Sequence, residues 1–174
     1  MPHVAVPPAV YLGIDPGASG GLACLTASGS VGCVPMPATE ADVWWWVSGA
    51  GKELPGAAAF AVIEEQRPRP TAWFDRRTGK MQSSILKSTC LLYGNYLQIR
   101  GMVTAAGIPF EAVTPQKWQL SFGLKKDKGE APGAWKNRLK AKAQQLFPAV
   151  KVTLATADAL LIAEFCRRKR TGTL

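Results

Sequence analysis

Histidine is almost missing from this chain. His3 is the only one in 174 residues, and it sits in the opening stretch Met1-Pro2-His3-Val4-Ala5-Val6-Pro7-Pro8. That excludes a histidine-based catalytic triad and argues against a zinc site. The four cysteines, Cys24, Cys33, Cys90 and Cys166, lie far apart with no CxxC spacing and have apolar or small neighbours. They read as reduced thiols of an intracellular protein, three of them buried. No apolar run approaches about 18 residues, so no transmembrane helix is expected. The first stretch has no positive segment ahead of an apolar one. Residues 1–9 therefore read as a short disordered leader rather than a signal peptide. Acidic residues are scarce too, 12 against 21 Lys and Arg, for a formal charge of +9.

What is present is a basic, globular chain. Its length suits one domain, and a hydrophobic share of 47% is enough for a core. The positive charge is clustered. Arg67, Arg69, Arg76, Arg77 and Lys80 form one group, and Lys117, Lys125, Lys126, Lys128, Lys136, Arg138, Lys140 and Lys142 a second. Arg167, Arg168, Lys169 and Arg170 close the chain, so the three groups hold 17 of the 21 basic residues. A polyanion is the natural partner for such patches.

The most informative segment is Tyr11-Leu12-Gly13-Ile14-Asp15-Pro16-Gly17-Ala18-Ser19-Gly20-Gly21-Leu22-Ala23. An apolar strand delivers Asp15 to a glycine-rich turn, and a second antiparallel strand leads away. Strands are expected at about Val10 to Asp15, Gly20 to Thr26 and Val31 to Met36, with Ser28-Gly29-Ser30 as a turn. Thr39 caps a helix carrying Glu40 and Asp42 in its first turn. Of its three adjacent tryptophans, Trp44, Trp45 and Trp46, at least one should be partly exposed and the rest packed in the core. Gly49 to Gly56 reads as a loop. The unbroken apolar run from Ala57 to Ile63 reads as a strand buried on both faces, ending on Glu64 and Glu65.

A basic, proline-interrupted loop from Gln66 to Lys80 is expected next, and then a long helix from about Gln82 to Ala106. Ile85, Leu92, Tyr96, Ile99 and Val103 share one face of that helix, and Gly107 stops it. Phe110 to Val113 is a short strand. Thr114 caps a short helix with Pro115 at its first position. A lysine-rich mobile loop from Leu124 to Pro132 precedes helices at about Trp135 to Phe147 and Leu154 to Lys169. The expected order is β-β-β-α-β-α-β-α-α, an α/β fold with a mixed sheet.

Three acids stand out. Asp15 ends the first strand, and Glu64 or Glu65 ends the central one. Asp158 interrupts the largely apolar start of the last helix. A carboxylate in such surroundings is costly unless paired or bound to a cation. Three carboxylates converging at one sheet end would hold Mg²⁺ or Mn²⁺ through hard oxygen ligands. Two such ions can activate a water and stabilise the leaving oxygen of a phosphodiester. The plainer readings are that Asp15 forms a turn before Pro16, that one of the paired glutamates is a surface residue, and that Asp158 caps its helix.

Leu12-Gly13-Ile14-Asp15-Pro16-Gly17, Val62-Ile63-Glu64 and Ala157-Asp158-Ala159-Leu160-Leu161-Ile162-Ala163 resemble the three signature segments of RuvC-type Holliday junction resolvases. The likeness is to the phage-type and plant-organelle branch, where a proline-containing loop (here Pro68 and Pro70) follows the glutamate strand. A Val113-Thr114-Pro115-Gln116-Lys117-Trp118 segment also matches. The resemblance implies a ribonuclease H-like five-stranded sheet flanked by helices, with one nuclease domain over residues 10–170 and a tail at 171–174. It implies a homodimer cutting four-way DNA junctions with symmetric, Mg²⁺-dependent nicks (Mn²⁺ is the alternative), two ions per site, in a bacterial or phage-infected cytoplasm. Asp15, Glu64 and Asp158 match the family's metal-binding acids, and the spacing to Pro68 and Pro70 selects Glu64 over Glu65. One departure stands out: where the family supplies a fourth ligand, this chain has Ala155, with Thr153 further upstream. A junction-binding protein with weak or no catalysis, or another ribonuclease H-like nuclease, is the alternative. An actin-like phosphotransferase would need a second domain.

For DNA, Arg67, Arg69, Trp73, Phe74, Arg76, Arg77 and Lys80 interleave cations with aromatics, which suits partly unstacked bases. Trp73 or Phe74 would act as a wedge at the crossover, or else tuck under the loop. Lys117, Lys125, Lys126 and Lys128 would bind phosphates without reading sequence. The Arg167 to Arg170 run either binds DNA or is simply solvated. The long helix around Leu91 to Val103 is the candidate dimer contact.

Overall fold

The structure is a computed structural model that describes residues 10–50, 58–67, 73–75, 77–82 and 84–174. β1 (Val10–Asp15) and β2 (Gly21–Thr26) form an antiparallel hairpin whose register runs from Val10 opposite Thr26 to Asp15 opposite Gly21. β3 (Val31–Pro35) continues the meander, and the Met36 N–H reaches the Gly20 carbonyl at 2.9 Å. α1 (Glu40–Ala50) follows, then β4 (Ala59–Glu64), parallel to β1. After a short antiparallel hairpin, β5 (Trp73–Asp75) and β6 (Lys80–Gln82), comes α2 (Ser84–Ala105). β7 (Phe110–Val113) pairs parallel with β4, and α3 (Pro115–Leu120), α4 (Pro132–Leu146) and α5 (Leu154–Thr171) complete the chain. The main sheet is mixed and five-stranded, in the order β3-β2-β1-β4-β7. This is the α/β architecture expected from the sequence.

Alternation along the strands sorts side chains onto two faces. Val10, Leu12 and Ile14 of β1 pack with Ala61 and Ile63 of β4 against α1 and α2 residues such as Val47, Tyr96, Ile99 and Val103. Tyr11 of β1 and Val62 of β4 point the other way, into a second cluster with Trp118, Leu139 and the apolar run of α5. α5 is buried continuously from Thr156 to Cys166. It presses against β1 and β2 because both sides of the contact are small. A Cβ on Gly13 would stand 2.1 Å from the Ala163 nitrogen and 2.2 Å from the Ala159 oxygen. One on Gly21 would stand 2.7 Å from the Ala155 oxygen.

Several local expectations change. The basic loop after β4 carries the β5–β6 hairpin. Arg69, Arg76, Pro68, Pro70 and residues 1–9 lie outside the described residues, as do the side chains of Trp73 and Phe74. Helix α1 extends through Gly49 and Ala50, and residues 51–57 of the expected loop are outside the described set. Trp45 is well exposed and Trp44 also exposed, while Trp46 packs at the edge of the core. Two cysteines are buried, Cys24 and Cys166, not three; Cys33 is half-buried, Cys90 exposed, and none of the four is in a disulfide. Thr114 occupies the N-cap position of α3 but makes no side-chain cap hydrogen bond.

The lysine-rich segment before α4 is tied down. Arg138 bonds Asp127, both carboxylate oxygens of Glu130 and the Lys125 carbonyl, and the Asp127 N–H bonds Glu130.

Candidate active site

Asp15 and Glu64 end adjacent parallel strands, and strand parity puts both on the α5 face of the sheet. Asp15 follows Tyr11 and Gly13, and Glu64 follows Val62. Glu65 turns to the opposite face, where it pairs with Arg67 at 2.9 Å and lies near Tyr96 of α2. Period-two geometry therefore separates the two glutamates that the sequence leaves side by side. Asp158 comes from the second turn of α5 and is 5% exposed. It does not cap its helix. Thr153 does so, in a reciprocal capping box with Thr156.

Each carboxylate is positioned by its own surroundings. Asp15 Oδ1 accepts the Gly17 N–H at 3.1 Å, and the turn closes with Gly20 N–H to Gly17 carbonyl at 2.8 Å. Gly20 must be glycine, since a Cβ there would lie 2.6 Å from Asp15 Cγ. Glu64 accepts the Trp118 indole N–H at 3.0 Å and the Gln66 amide at 3.1 Å. Asp158 Oδ2 accepts from Lys136 Nζ of α4 at 2.5 Å, while Asp158 Oδ1 is buried with no hydrogen-bond partner.

The three acids share one electrostatic environment. Burial and the neighbouring Asp158 charge push Asp15 up to about 6, against the Gly17 N–H and Lys136. Burial, then Asp15, push Glu64 up to about 7, against the Trp118 hydrogen bond. Burial opposes the charge on Lys136, yet Asp158, Asp15 and Glu64 together hold its ammonium above the ordinary lysine value. One cation thus faces three carboxylates.

As the side chains stand, no three acidic, thiol or imidazole groups among the described residues close into a ligand cage for a metal ion. Lys136 takes one oxygen of Asp158. The donor set nonetheless fits a hard divalent cation: oxygen ligands only, mutually repelling, with one buried oxygen left unpartnered. Ala155 lies one turn before Asp158 and offers no ligand.

The basic residues form a broader surface. Lys125, Lys126 and Lys128 are exposed on the clasped segment, and Arg77 and Lys80 are exposed at the β5–β6 hairpin. Arg67 is exposed but paired with Glu65. Lys117 lies 3.6 Å from Glu111, which Lys169 also pairs. Arg167 and Arg168 both bond the buried Glu164. That part of the terminal run is spent on an internal acid.

Three contributors were not identified as site residues from sequence. Lys136 stood out only as one member of a basic run, and its contact crosses from α4 to α5. Trp118 lay in a recognised motif that carried no role for it. Gln66 had no signal.

No protein-family model matches the chain, and no curated protein matches it. Among solved structures it is similar to Thermus thermophilus RuvC in complex with Holliday junction substrate, at 19% identity and a TM-score of 0.51, covering 94% of this chain and 97% of that one. A second Thermus thermophilus RuvC structure matches at 18% identity and a TM-score of 0.49, with 94% and 97% coverage. At this identity the likeness to the first of these shows the fold alone: a ribonuclease H-like mixed five-stranded sheet flanked by helices.

Proposed function

We propose that this protein is a metal-dependent endonuclease that cuts branched DNA, with the four-way junction as substrate and two copies making symmetric nicks. The observation that supports this reading is that Asp15 and Glu64, at the ends of adjacent parallel strands, lie close enough to Asp158 of α5 for the three carboxylates to act on one another electrostatically. Asp15, Glu64 and Asp158 would hold Mg²⁺ or Mn²⁺. Such an ion supplies an activated water and charge stabilisation at the leaving oxygen of a phosphodiester.

The chain's own residues do the rest. Trp118 and Gln66 orient Glu64, and the Gly17 N–H orients Asp15. Lys136 holds Asp158 and keeps the cluster from carrying its full negative charge. Lys117, Lys125, Lys126 and Lys128 would neutralise phosphates, so affinity should fall with salt at a slope near about −0.9 per duplex phosphate contacted. Arg67, Arg77, Lys80 and the β5–β6 hairpin, with Arg69, Trp73, Phe74 and Arg76, are proposed to face the junction centre. α2, with Leu91 and Leu97 exposed, is the proposed contact between two copies.

Incubating junction, linear duplex and flap DNA with Mg²⁺, Mn²⁺ or chelator tests this. Metal-dependent paired nicks in the junction support it. Cleavage of none of these with any metal refutes it as an enzyme. A second reading, a junction-binding protein with little catalysis, is favoured by Ala155 and by the Lys136 cation on Asp158. Tight junction binding without nicks would select it.

A further inference from the structure

Helix α3, the clasped segment after it and the first turn of α4 line an open surface cleft of about 540 Å³. Its volume lies within the range that holds small ligands. Leu120 and Trp135 give it an apolar lining, Gln116 and Gln119 bring two amides, and Lys125 and Lys126 contribute two ammonium groups. Leu120 is 61% exposed, so its side chain is available to a ligand in the cleft.

The walls are held firmly. Arg138 fixes the segment by bonding Asp127, Glu130 and the Lys125 carbonyl, and its guanidinium lies 5.2 Å over the Trp135 ring. Both walls also reach the acids through a nearby residue. Trp118 of α3 bonds Glu64, and Lys136, next to Trp135, bonds Asp158.

We propose that this cleft is a subsite for a single nucleotide of the bound DNA whose base has left the stack. An apolar lining accepts a base face. Amides can donate to and accept from a base edge. Two ammonium groups match the flanking phosphate. Because the cleft shares α3 and α4 with the groups that hold the carboxylates, a base seated there fixes the register of the backbone across the site. It would also give the enzyme a preference for one base near the cut. This rests on the reading of the protein as a DNA-binding nuclease.

The test uses four-way junctions carrying one abasic nucleotide at successive positions near the crossover. Binding is measured by anisotropy in chelator. For the native protein one position should weaken binding about 5- to 150-fold, the equivalent of one stacked base. With Leu120→Ser, the same abasic position should cost less than about threefold, because the two changes remove one shared contact.

Gln119→Leu serves as a second variant. It should change the preference among the four bases at that position and leave the salt slope unaltered. If the intact junction binds normally but every abasic position costs native and Leu120→Ser protein equally, the subsite is wrong and the nuclease reading stands. If the native protein binds no junction at all, both fall.

Discussion

Replacing Asp15 by Asn should make the metal-free protein more stable at neutral pH. The amide keeps the shape and can still accept the Gly17 N–H, held at 3.1 Å in the native turn. What it removes is a charge that burial and Asp158 disfavour. An acid moved from 3.8 to about 6 on folding binds more protons in the native state than in the unfolded one between those values. Stability therefore rises as pH falls through that window and is lost as pH climbs past about 6.

The displacement corresponds to about 3 kcal/mol at pH 7.5, and partial exposure with coupling to Glu64 reduces the recoverable share to about 2 kcal/mol. For a chain of this size that is a melting temperature about 4–8 °C higher. Calorimetry in chelator at pH 7.5 measures it, and the gain should shrink to nothing by pH 4. Adding Mg²⁺ should reverse the order, since only the native acid set gains from binding the ion. If the Asp15→Asn protein melts with or below the native protein at pH 7.5 in chelator, the electrostatic reasoning is refuted.

Lys136→Met should lower stability in chelator by about 2 kcal/mol, because Asp158 is left buried and unpaired, and Mg²⁺ should restore much of it; paired melts with and without metal check this. Trp118→Phe should cost about 1 kcal/mol more at pH 8, where Glu64 is charged, than at pH 5, on top of the packing loss from a fully buried indole at either pH; the difference between denaturant midpoints at the two pH values decides it. Gly13→Ala should destabilise by about 3 kcal/mol or more, as its Cβ meets the backbone of α5; an unchanged urea midpoint would contradict the close strand–helix contact. Ala155→Glu should raise the nicking rate if the site lacks a ligand, and an equal rate would remove that idea.

The sheet was legible because its strands are regular. Apolar runs ending in Asp15 and Glu64, with a glycine turn between the first two strands, left few ways to fold. The identity of the inward glutamate was also within reach: Val62 and Glu64 share a parity that Glu65 lacks. The β5–β6 hairpin was hidden because its strands are three residues long and sit among basic and proline-rich neighbours. The clasp by Arg138 was hidden for another reason. Lysines before α4 suggested a mobile loop, and only the folded chain brings one arginine against Asp127 and Glu130. Lys136 was missed because its partner lies 22 residues away on another helix. No spacing rule predicts that encounter.

The absent side chain at Gly13 reaches beyond packing. With the backbone of α5 in direct contact with β1, strand and helix behave as one rigid bar that carries Asp15 and Asp158 together. The gap between those two acids cannot be tuned by sliding one element past the other. On the proposed metal-dependent reading, a change in the ion such a site would take must come through side-chain length at Asp158, Ala155 or Lys136, and leave the frame alone.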